Sequence, residues 1–508
     1  MNRSTSCVFK SVLAVLVPTT AGPAMAEVRL PAILGDHMVV QQGLPVPVWG
    51  WADAGEEVTV TLGDQKKSAQ AGADGKWLVR LDALSAKAEP VEITIAGKNR
   101  IVLKDVLIGE VWICSGQSNM QWPVSASKNK DEEIAAADYP RIRLFSVPRT
   151  MSEKPLEDTK GEWTACTPRT VPDFSAVGYF FGRDLHKQLD VPVGLIHTSW
   201  GGTPAESWTS RAALEADADF KPILDRWQQA RENYPAVLAK WKEEADKAQA
   251  EGKALPRRPT APDADPHRPC VLFNAMIAPL VPVAHRGVIW YQGESNAGRA
   301  YQYRKLLPAM IKSWRDAFGR EDSAFLIVSL ANFTPVKDEP GESEWAELRE
   351  AQAMTAAMPH NGLAITIDVG EANDIHPKDK QTVGNRLMRQ ALRVAYGKRT
   401  PAASGPVFDS MEIDGRTVRL KFKNARRLVA KGGELKGFAV AGEDRKFYWA
   451  KAAIEGNVVV LTCDQVPQPK AVRYAWANNP VCNLYNAAGL PAVPFRTDDW
   501  PGITVNNK

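Results

Sequence analysis

Between positions 105 and 400, four apolar stretches each end abruptly in a short polar loop, with helical patterns between them. The stretches cover residues 106–113, 193–198, 288–291 and 363–368. Strands that alternate with helices are typical of a parallel sheet with both faces covered. The loops that follow the carboxyl ends of such strands meet at one edge, where ligands bind. The pattern therefore predicts an α/β domain with a functional site at that edge.

The four loops carry residue types that together suit ester hydrolysis. In chain order they contribute Ser118, Gly201 with Gly202, Gln292 with Glu294, and Asp374 with His376. A serine hydroxyl becomes a nucleophile when a base reaches it. We expect His376 to take the Ser118 proton and Asp374 to orient the imidazole and stabilise its cation.

An ester hydrolase also needs donors for the oxyanion of the tetrahedral intermediate. We expect the backbone N–H groups of Ser118 and of Gly201 or Gly202, together with the Gln292 side chain, to supply them. For Glu294 we weigh a general acid against a carboxylate that anchors the Ser118-Asn119 loop, and we favour the anchor. A glycosidase needs two flanking carboxylic acids, and no second acid is clearly placed for that role.

Several of these residues, taken singly, have an ordinary structural interpretation. A lone serine after a strand is most often a turn or capping residue, and a glycine pair is most often a turn. Most of the seven histidines are expected to be structural. His197 lies inside a predicted strand and is interpreted as a hydrogen-bonded core residue. The functional interpretation depends on the four loops coming together.

The chain is 508 residues long, which predicts several domains. Short alternating strands predict a small β-sandwich over 27–104. The α/β domain is expected over 105–400, and a second β-rich, sandwich-like domain over 405–508, which contains a predicted Asp414-Gly415 hairpin turn. Residues 211–265 are interpreted as a helical insertion of two helices and a proline-rich connector. The insertion is either part of the site or a solvated excursion without a role.

The first 26 residues are typical of an export signal. Arg3 and Lys10 give a basic start, residues 12–17 are apolar, and Ala24-Met25-Ala26 forms a cleavage site that leaves Glu27 first. No stretch approaches the roughly 20 apolar residues of a membrane span. We therefore expect a periplasmic or secreted protein without a transmembrane segment.

Composition excludes some classes of partner. The net charge is only +4 and the basic residues are dispersed, so nucleic-acid binding is not expected. The 16 tryptophans favour a carbohydrate ligand weakly. The cysteines show no metal-binding spacing, and the sequence contains neither an H-E-x-x-H motif nor a Gly-rich phosphate loop, so neither a metal nor another cofactor is expected. We consider one disulfide, between Cys463 and Cys482, with Cys114 a free thiol buried in its strand.

Four motifs in order resemble the sialate O-acetylesterase family of SGNH hydrolases. They are Ser115-Gly116-Gln117-Ser118-Asn119-Met120, Ser199-Trp200-Gly201-Gly202-Thr203, Trp290-Tyr291-Gln292-Gly293-Glu294-Ser295-Asn296 and Asp374-Ile375-His376-Pro377. The resemblance extends to residues 35–41 and to 483–497. It implies a flavodoxin-like, three-layer catalytic domain with accessory β domains, and metal-free removal of acetyl groups from sugar hydroxyls.

The resemblance also implies roles for individual residues. The family's nucleophile falls on Ser118 and its base on His376, and the oxyanion roles fall on the backbone and amide donors named above. In the wider superfamily the triad acid stands three residues before the histidine, which is Asn373 here. We choose Asp374, and a different acid or a Ser-His dyad aided by a backbone carbonyl stay as alternatives.

The substrate is predicted only to the level of an O-acetylated carbohydrate. Family members resemble one another whether they act on acetylated sialic acid or on acetylated plant polysaccharides such as xylan. Arg299 and Arg386 are candidates for binding the carboxylate of sialic acid. The alternatives are an SGNH lipase or thioesterase and a carbohydrate-binding protein without catalysis, although the intact Ser118 and His376 argue against the latter.

Overall fold

The computed structural model describes Met1, residues 27–399 and residues 402–508. The predicted export signal lies outside the described residues, apart from Met1. The strands up to residue 364 are β1 (Val39–Gln41), β2 (Val46–Trp51), β3 (Glu57–Leu62), β4 (Gln65–Gln70), β5 (Lys76–Leu81), β6 (Lys87–Ala96), β7 (Arg100–Gly116), β8 (Tyr139–Ser146), β9 (Trp163–Cys166), β10 (Val193–Ser199), β11 (Gly287–Tyr291), β12 (Ala324–Val328) and β13 (Asn361–Ala364).

The remaining strands are β14 (Val407–Asp414), β15 (Thr417–Lys423), β16 (Leu428–Ala430), β17 (Phe438–Ala441), β18 (Phe447–Trp449), β19 (Lys451–Glu455), β20 (Val458–Thr462), β21 (Ala471–Tyr474), β22 (Leu484–Asn486) and β23 (Phe495–Arg496). The α-helices are α1 (Ser118–Gln121), α2 (Lys130–Ala135), α3 (Ala176–Leu189), α4 (Arg211–Glu215), α5 (Lys221–Ala250), α6 (Ala300–Phe318), α7 (Glu344–Ala356) and α8 (Lys380–Val394).

A mostly parallel sheet forms the centre of the molecule, with the strand order β13-β12-β11-β7-β10-β8-β9. Among these seven strands, only β9 runs antiparallel to its neighbour. Alternate residues of β7 enter two different apolar cores: Val111 and Ile113 pack with α6 and α7, and Trp112 and Cys114 pack with α3 and α8. A strand that is buried on both faces has a near-continuous apolar sequence, and this is the pattern from which β7 was predicted. The α/β prediction is confirmed.

The 17-residue strand β7 joins the N-terminal β region to the central sheet. Its first part pairs antiparallel with β6, and its last part lies between β10 and β11. The N-terminal region adds β3 and β4 to the same sheet, and β2 and β5 form a separate ribbon. The strand therefore carries its carboxyl end, and the loop after it, to the middle of the sheet.

The C-terminal region contains two four-stranded sheets, β14-β15-β20-β19 and β18-β17-β21-β23, and the pair β16-β22. A separate apolar core lies among them and includes Leu420, Val440 and Leu461. The Asp414-Gly415 turn joins β14 to β15 as predicted, with Gly415 at a φ of +56°. Glycine adopts this left-handed conformation without the penalty that a side chain imposes.

The structure corrects two predicted elements. The strand expected over 363–368 ends at Ala364, where its pairing with the last residue of β12 also ends. Beyond that point, the Arg386 guanidinium donates to the Ile365 carbonyl (2.6 Å) and to the Asp368 carboxylate. The two helices expected in the insertion are the single helix α5. It continues through Pro235, and the proline-rich segment packs along it through a hydrogen bond from Trp241 to the Pro256 carbonyl (3.0 Å).

The disulfide considered between Cys463 and Cys482 does not form. All five cysteines in the described part of the chain are free thiols. The Cys463 thiol donates to the Trp449 carbonyl instead, at 3.7 Å. Across the described residues, no helix combines the length and apolar character that a bilayer crossing requires.

Candidate active site

The end of β7 places Ser118 at the carboxyl edge of the sheet. Gly116 has a φ of +141°, and a Cβ there would lie 2.1 Å from the Tyr291 carbonyl oxygen, so only glycine fits. The chain then turns, with the Gln117 N–H donating to the same Tyr291 carbonyl at 3.0 Å. Ser118 follows as the first residue of α1, where backbone N–H groups have no partner within the helix.

His376 reaches Ser118 from the loop between β13 and α8. Its Nε2 lies 2.9 Å from the Ser118 Oγ, although 258 residues separate the two. The Trp122 ring stacks on the imidazole with a centroid separation of 5.0 Å and an angle of 15° between planes. Trp122 follows α1 directly, so the segment that carries the serine also limits the rotation of the histidine.

Asp374 lies on the other side of the imidazole. Its Oδ1 is 3.6 Å from the His376 Nδ1, an ion-pair distance that is longer than a hydrogen bond. The same oxygen accepts the backbone N–H of His376 at 2.8 Å. Asp374 therefore fixes the backbone of the histidine and places a negative charge near its ring.

A buried polar network lies beneath the Ser118–His376 pair. Asn119 donates to the Glu294 carboxylate (2.7 Å) and to the Ile375 carbonyl (3.0 Å), and its oxygen accepts from the Lys380 ammonium (2.5 Å). One amide thus joins the serine loop, the β11 loop and the histidine loop. The contact with Asn119 is the anchoring one that we expected for Glu294.

The ionisable groups of this network influence one another. Burial raises the pKa of Glu294 and lowers the pKa of Lys380 to about 7. Burial, followed by the nearby Lys380 charge, lowers the pKa of His376, and Asp374 opposes this shift. A lowered pKa keeps the imidazole neutral, and therefore able to accept a proton, at pH values where an ordinary histidine is charged.

Replacing Lys380 with methionine is expected to move the acidic limb of the kcat/KM profile to higher pH. In the wild type the limb should have its midpoint below the ordinary histidine value of 6.5. Lys380 is protonated in that range, and removing its charge stabilises the imidazolium, so the pKa of His376 rises. Hydrolysis of an aryl acetate between pH 4 and 9 measures the limb.

Lys378→Met is the matched control, since it removes the same charge from an exposed position two residues after His376. Solvent screens that charge, so its profile should follow the wild type. Equal profiles for Lys380→Met and the wild type, with unchanged thermal melting, would contradict the proposed influence of Lys380.

The glycine loop after β10 lies against the serine. A Cβ on Gly201 would be 3.3 Å from the Ser118 Cβ, and the Gly201 N–H donates to the Gln121 side-chain oxygen at 2.7 Å. Gly202 has a φ of +78° and its carbonyl accepts from the Ser295 hydroxyl at 2.6 Å. The backbone of this loop therefore comes within reach of a group bound at Ser118, and the Gln121 oxygen occupies the Gly201 donor.

Gln292, which we predicted as an oxyanion donor, has hydrogen-bond partners within the protein. Its side chain is fully buried, its NH₂ donates to Asn296 (2.7 Å) and to the Thr203 carbonyl (3.3 Å), and its oxygen accepts from the Tyr303 hydroxyl (2.8 Å). Both N–H groups donate within the protein, so an oxyanion would have to replace one of these acceptors, as it would at Gly201. Gln292 fastens the β11 loop to the glycine loop.

Other candidates from the sequence have structural partners. The His197 Nε2 lies 2.6 Å from the Ser199 Oγ, and burial lowers the pKa of His197 to about 4, which agrees with a core histidine. Arg386 is paired with Asp368 and is not available to a substrate. Within residues 27–399 and 402–508, no cluster of three or more His, Cys, Asp or Glu side chains is arranged to hold a metal ion.

Three residues of the site carry no signal in the sequence. Gln121 and Trp122 are ordinary polar and aromatic residues after the motif serine. Lys380 begins α8, where a lysine is usually solvated, yet it is fully buried and lies 5.8 Å from the Trp122 ring centroid. Gln121, Trp122 and Lys380 are recognised as neighbours of Ser118 and His376 only in the tertiary structure, where the loops after β7 and β13 come into contact.

Comparison with known proteins defines the class. The family model "Carbohydrate esterase, sialic acid-specific acetylesterase" matches residues 108–253 and 269–393. The sialate O-acetylesterase of Rattus norvegicus is 31% identical over 92% of this chain and 94% of the relative, and that of Homo sapiens is 30% identical over 94% of each. The crystal structure of a carbohydrate acetylesterase from Xanthomonas citri superimposes with a TM-score of 0.81 at 38% identity, covering 93% of this chain and 100% of the other.

These similarities make the protein a carboxylic ester hydrolase. Within that class, the chain belongs to the carbohydrate esterase family of sialic acid-specific acetylesterases. The resemblance that the four motifs carry is thereby confirmed.

Proposed function

We propose that this protein removes O-acetyl groups from carbohydrate hydroxyls through an acyl-enzyme on Ser118, with His376 as the general base. The 2.9 Å separation between the Ser118 Oγ and the His376 Nε2 carries this proposal. It is the distance at which a neutral imidazole accepts a hydroxyl proton. The lowered pKa of His376 supports the same role, because it keeps the ring neutral.

The reaction runs in two balanced halves. The Ser118 oxygen attacks the acetyl carbonyl carbon while His376 takes the hydroxyl proton, which gives a tetrahedral intermediate. His376 returns that proton to the sugar oxygen as its bond to the acetyl carbon breaks, leaving acetyl-Ser118 and a free sugar hydroxyl. Water, deprotonated by His376, then attacks the acetyl carbon of the acetyl-enzyme. His376 returns that proton to the Ser118 oxygen as its bond to the acetyl carbon breaks, which releases acetic acid, ionised to acetate, and restores the free enzyme.

Backbone donors stabilise the charge that develops on the acetyl oxygen. The Ser118 N–H at the start of α1 and the Gly201 N–H are suited to this role, with Gly202 beside them. The substrate oxygen would replace the Gln121 oxygen, which accepts from Gly201 at 2.7 Å in the free enzyme. Asp374, 3.6 Å from the His376 Nδ1, acts as the acid that stabilises the imidazolium.

We further propose a flavodoxin-like, three-layer SGNH catalytic domain over 105–400, flanked by β-sandwich domains over 27–104 and 405–508. Apolar cores on both faces of the central sheet support the layers. The basic start, apolar run and cleavage site of the first 26 residues support export to the periplasm or outside the cell. N-terminal sequencing of the protein from the extracytoplasmic fraction should begin at Glu27, and a chain that retains Met1 there would contradict cleavage.

Acetate release from three substrates tests the function: O-acetylated sialic acid, acetylated xylan and a simple aryl acetate. We expect release from at least one acetylated carbohydrate, and a fall in rate when the acetyl group of the aryl ester is lengthened to octanoyl. Faster hydrolysis of the octanoyl ester would favour an SGNH lipase or thioesterase. Sugar binding without acetate release would favour a binding protein.

A further inference from the structure

The loop that carries His376 is held from behind by two other segments of the chain. This histidine loop, residues 365–379 between β13 and α8, forms neither a helix nor a strand over its described length. Its neighbours are the loop after β12, residues 329–343, and the segment 477–479, which follows β21 in the C-terminal region. The contacts among these three segments decide how firmly His376 is placed.

Asn332 and Thr334 contact the histidine loop directly. The Gly370 N–H donates to the Asn332 side-chain oxygen at 2.7 Å, and the Thr334 N–H donates to the Ala372 carbonyl at 3.1 Å. A Cβ on Gly370 would lie 1.9 Å from the Asn332 carbonyl oxygen, so only glycine permits this close approach. Ala372 stands four residues before His376, so these contacts fix the chain that leads to the histidine.

Asn479 joins these two residues to the C-terminal region. Its NH₂ donates to the Thr334 carbonyl at 2.6 Å, and its side-chain oxygen accepts from the Asn332 NH₂ at 2.9 Å. One side chain thus contacts both of the residues that hold the histidine loop. We call Asn332, Thr334 and Asn479 the asparagine brace.

Thr334 has a strained backbone conformation within the asparagine brace. Its φ is +73°, in the left-handed region that a β-branched side chain disfavours. Such a conformation persists only where neighbouring groups fix it, and it is found most often near active sites. Both backbone polar groups of Thr334 are bound here, the N–H by Ala372 and the carbonyl by Asn479. These two hydrogen bonds offset the strain, and one of them comes from the C-terminal region.

Arg349 fixes the segment that carries Asn479. Its buried guanidinium donates to four backbone carbonyls at distances of 2.6 to 2.9 Å, and these belong to Leu330, Ala331, Ala477 and Asn478. The first two carbonyls follow β12, and the last two stand directly before Asn479. One guanidinium therefore ties the two segments together beside the asparagine brace.

We propose that Asn479 is a positioning residue of the esterase, and that it holds His376 within reach of the Ser118 hydroxyl. It acts through Thr334 and the histidine loop, and the inference rests on the proposed acetylesterase function. The Ser118 Oγ and the His376 Nε2 are 2.9 Å apart, and proton transfer requires them to stay close to that separation. A shift of the loop by about 1 Å would therefore slow the reaction without weakening substrate binding.

Replacing Asn479 with alanine tests the asparagine brace in the full-length protein. We expect kcat for an aryl acetate to fall about 10- to 100-fold, with KM within about 2-fold of the wild type, because the loop shifts while the rest of the site is kept. Thr334→Gly added to this variant should restore most of the lost kcat, since glycine adopts the left-handed conformation without support. Asn479→Asp keeps the shape of the side chain and loses the donor to Thr334, so it gives the same test if the alanine variant does not fold.

Asn483→Ala is the matched control. The Asn483 amide also binds backbone groups, but they all lie within the C-terminal region and belong to Lys431, Glu434 and Lys436. This variant should keep the wild-type kcat even where its melting temperature falls. A loss confined to KM in Asn479→Ala would overturn the positioning role, and a double variant no more active than Asn479→Ala would contradict the part assigned to Thr334.

Amide hydrogen exchange, followed by mass spectrometry, separates this inference from the function on which it rests, because it needs no turnover. Peptides from residues 365–379 should exchange faster in Asn479→Ala than in the wild type, and at the wild-type rate in Asn483→Ala. Failure of the acetylesterase proposal would appear as a wild type that releases no acetate from any ester, with the faster exchange in Asn479→Ala still present. Wild-type kcat together with wild-type exchange in Asn479→Ala would overturn the asparagine brace.

Discussion

Replacing Ser118 with alanine should lower kcat for aryl acetate hydrolysis by about 10⁴-fold or more, because the acyl-enzyme cannot form without the hydroxyl. The fold should be unaffected, since Ser118 is only half-buried and its side chain supports no core. Acetate release and the burst of aryl alcohol in the first turnover both measure the loss. In the variant the burst should vanish, because it reports acetylation of the serine.

Ser115→Ala is the matched control for this change. Ser115 lies three residues earlier in the same motif, is fully buried, and its hydroxyl has no hydrogen-bond partner within the described residues. Removing that hydroxyl leaves no partner unsatisfied, so activity should stay within a few-fold of the wild type. If Ser118→Ala retained its activity, the nucleophile would have to be another residue.

His376→Gln should cause a loss of similar size, about 10⁴-fold in kcat, because the amide cannot accept the proton of Ser118. Asp374→Asn should cost less, about 10- to 100-fold, since a carboxylate 3.6 Å away stabilises the imidazolium through charge rather than a direct hydrogen bond. Steady-state kinetics of both variants at pH 8, where the wild-type histidine is neutral, measure the two losses.

The ratio of these losses identifies the acid. A loss in Asp374→Asn as large as that in His376→Gln would mean that the aspartate closes to a full hydrogen bond during the reaction. An Asp374→Asn variant with wild-type activity would instead favour the Ser-His dyad or another acid. A His376→Gln variant that kept more than a tenth of the wild-type kcat would contradict the role of His376 as the general base.

The location of the candidate site could be predicted from local sequence, because the apolar runs of β7, β10 and β11 are readily recognised as buried strands. A strand buried on both faces has to be apolar throughout, and a glycine has to follow where the chain turns against Tyr291. Parallel strands bring their carboxyl ends to one edge, so Ser118 and His376 were expected together despite their separation in sequence.

Gln292 shows the limit of that reasoning. The sequence places an amide in the right loop, but a side chain's direction depends on which partners are nearest in space. Tyr303 on α6 and Asn296 are the partners that this amide finds in the structure, and the sequence does not indicate them. Likewise, no local sequence signal shows that Cys463 and Cys482 are free thiols rather than a disulfide pair.

The sequence by itself determined the α/β class, the four loops at the sheet edge and the serine and histidine, because each follows from patterns within a few residues. The tertiary structure alone decided that Lys380 lies buried beneath the Ser118–His376 pair, and that Arg226 and Arg299 share one carboxylate. Burial and charge balance are properties of neighbours in space, and these neighbours come from loops and helices far apart in the chain.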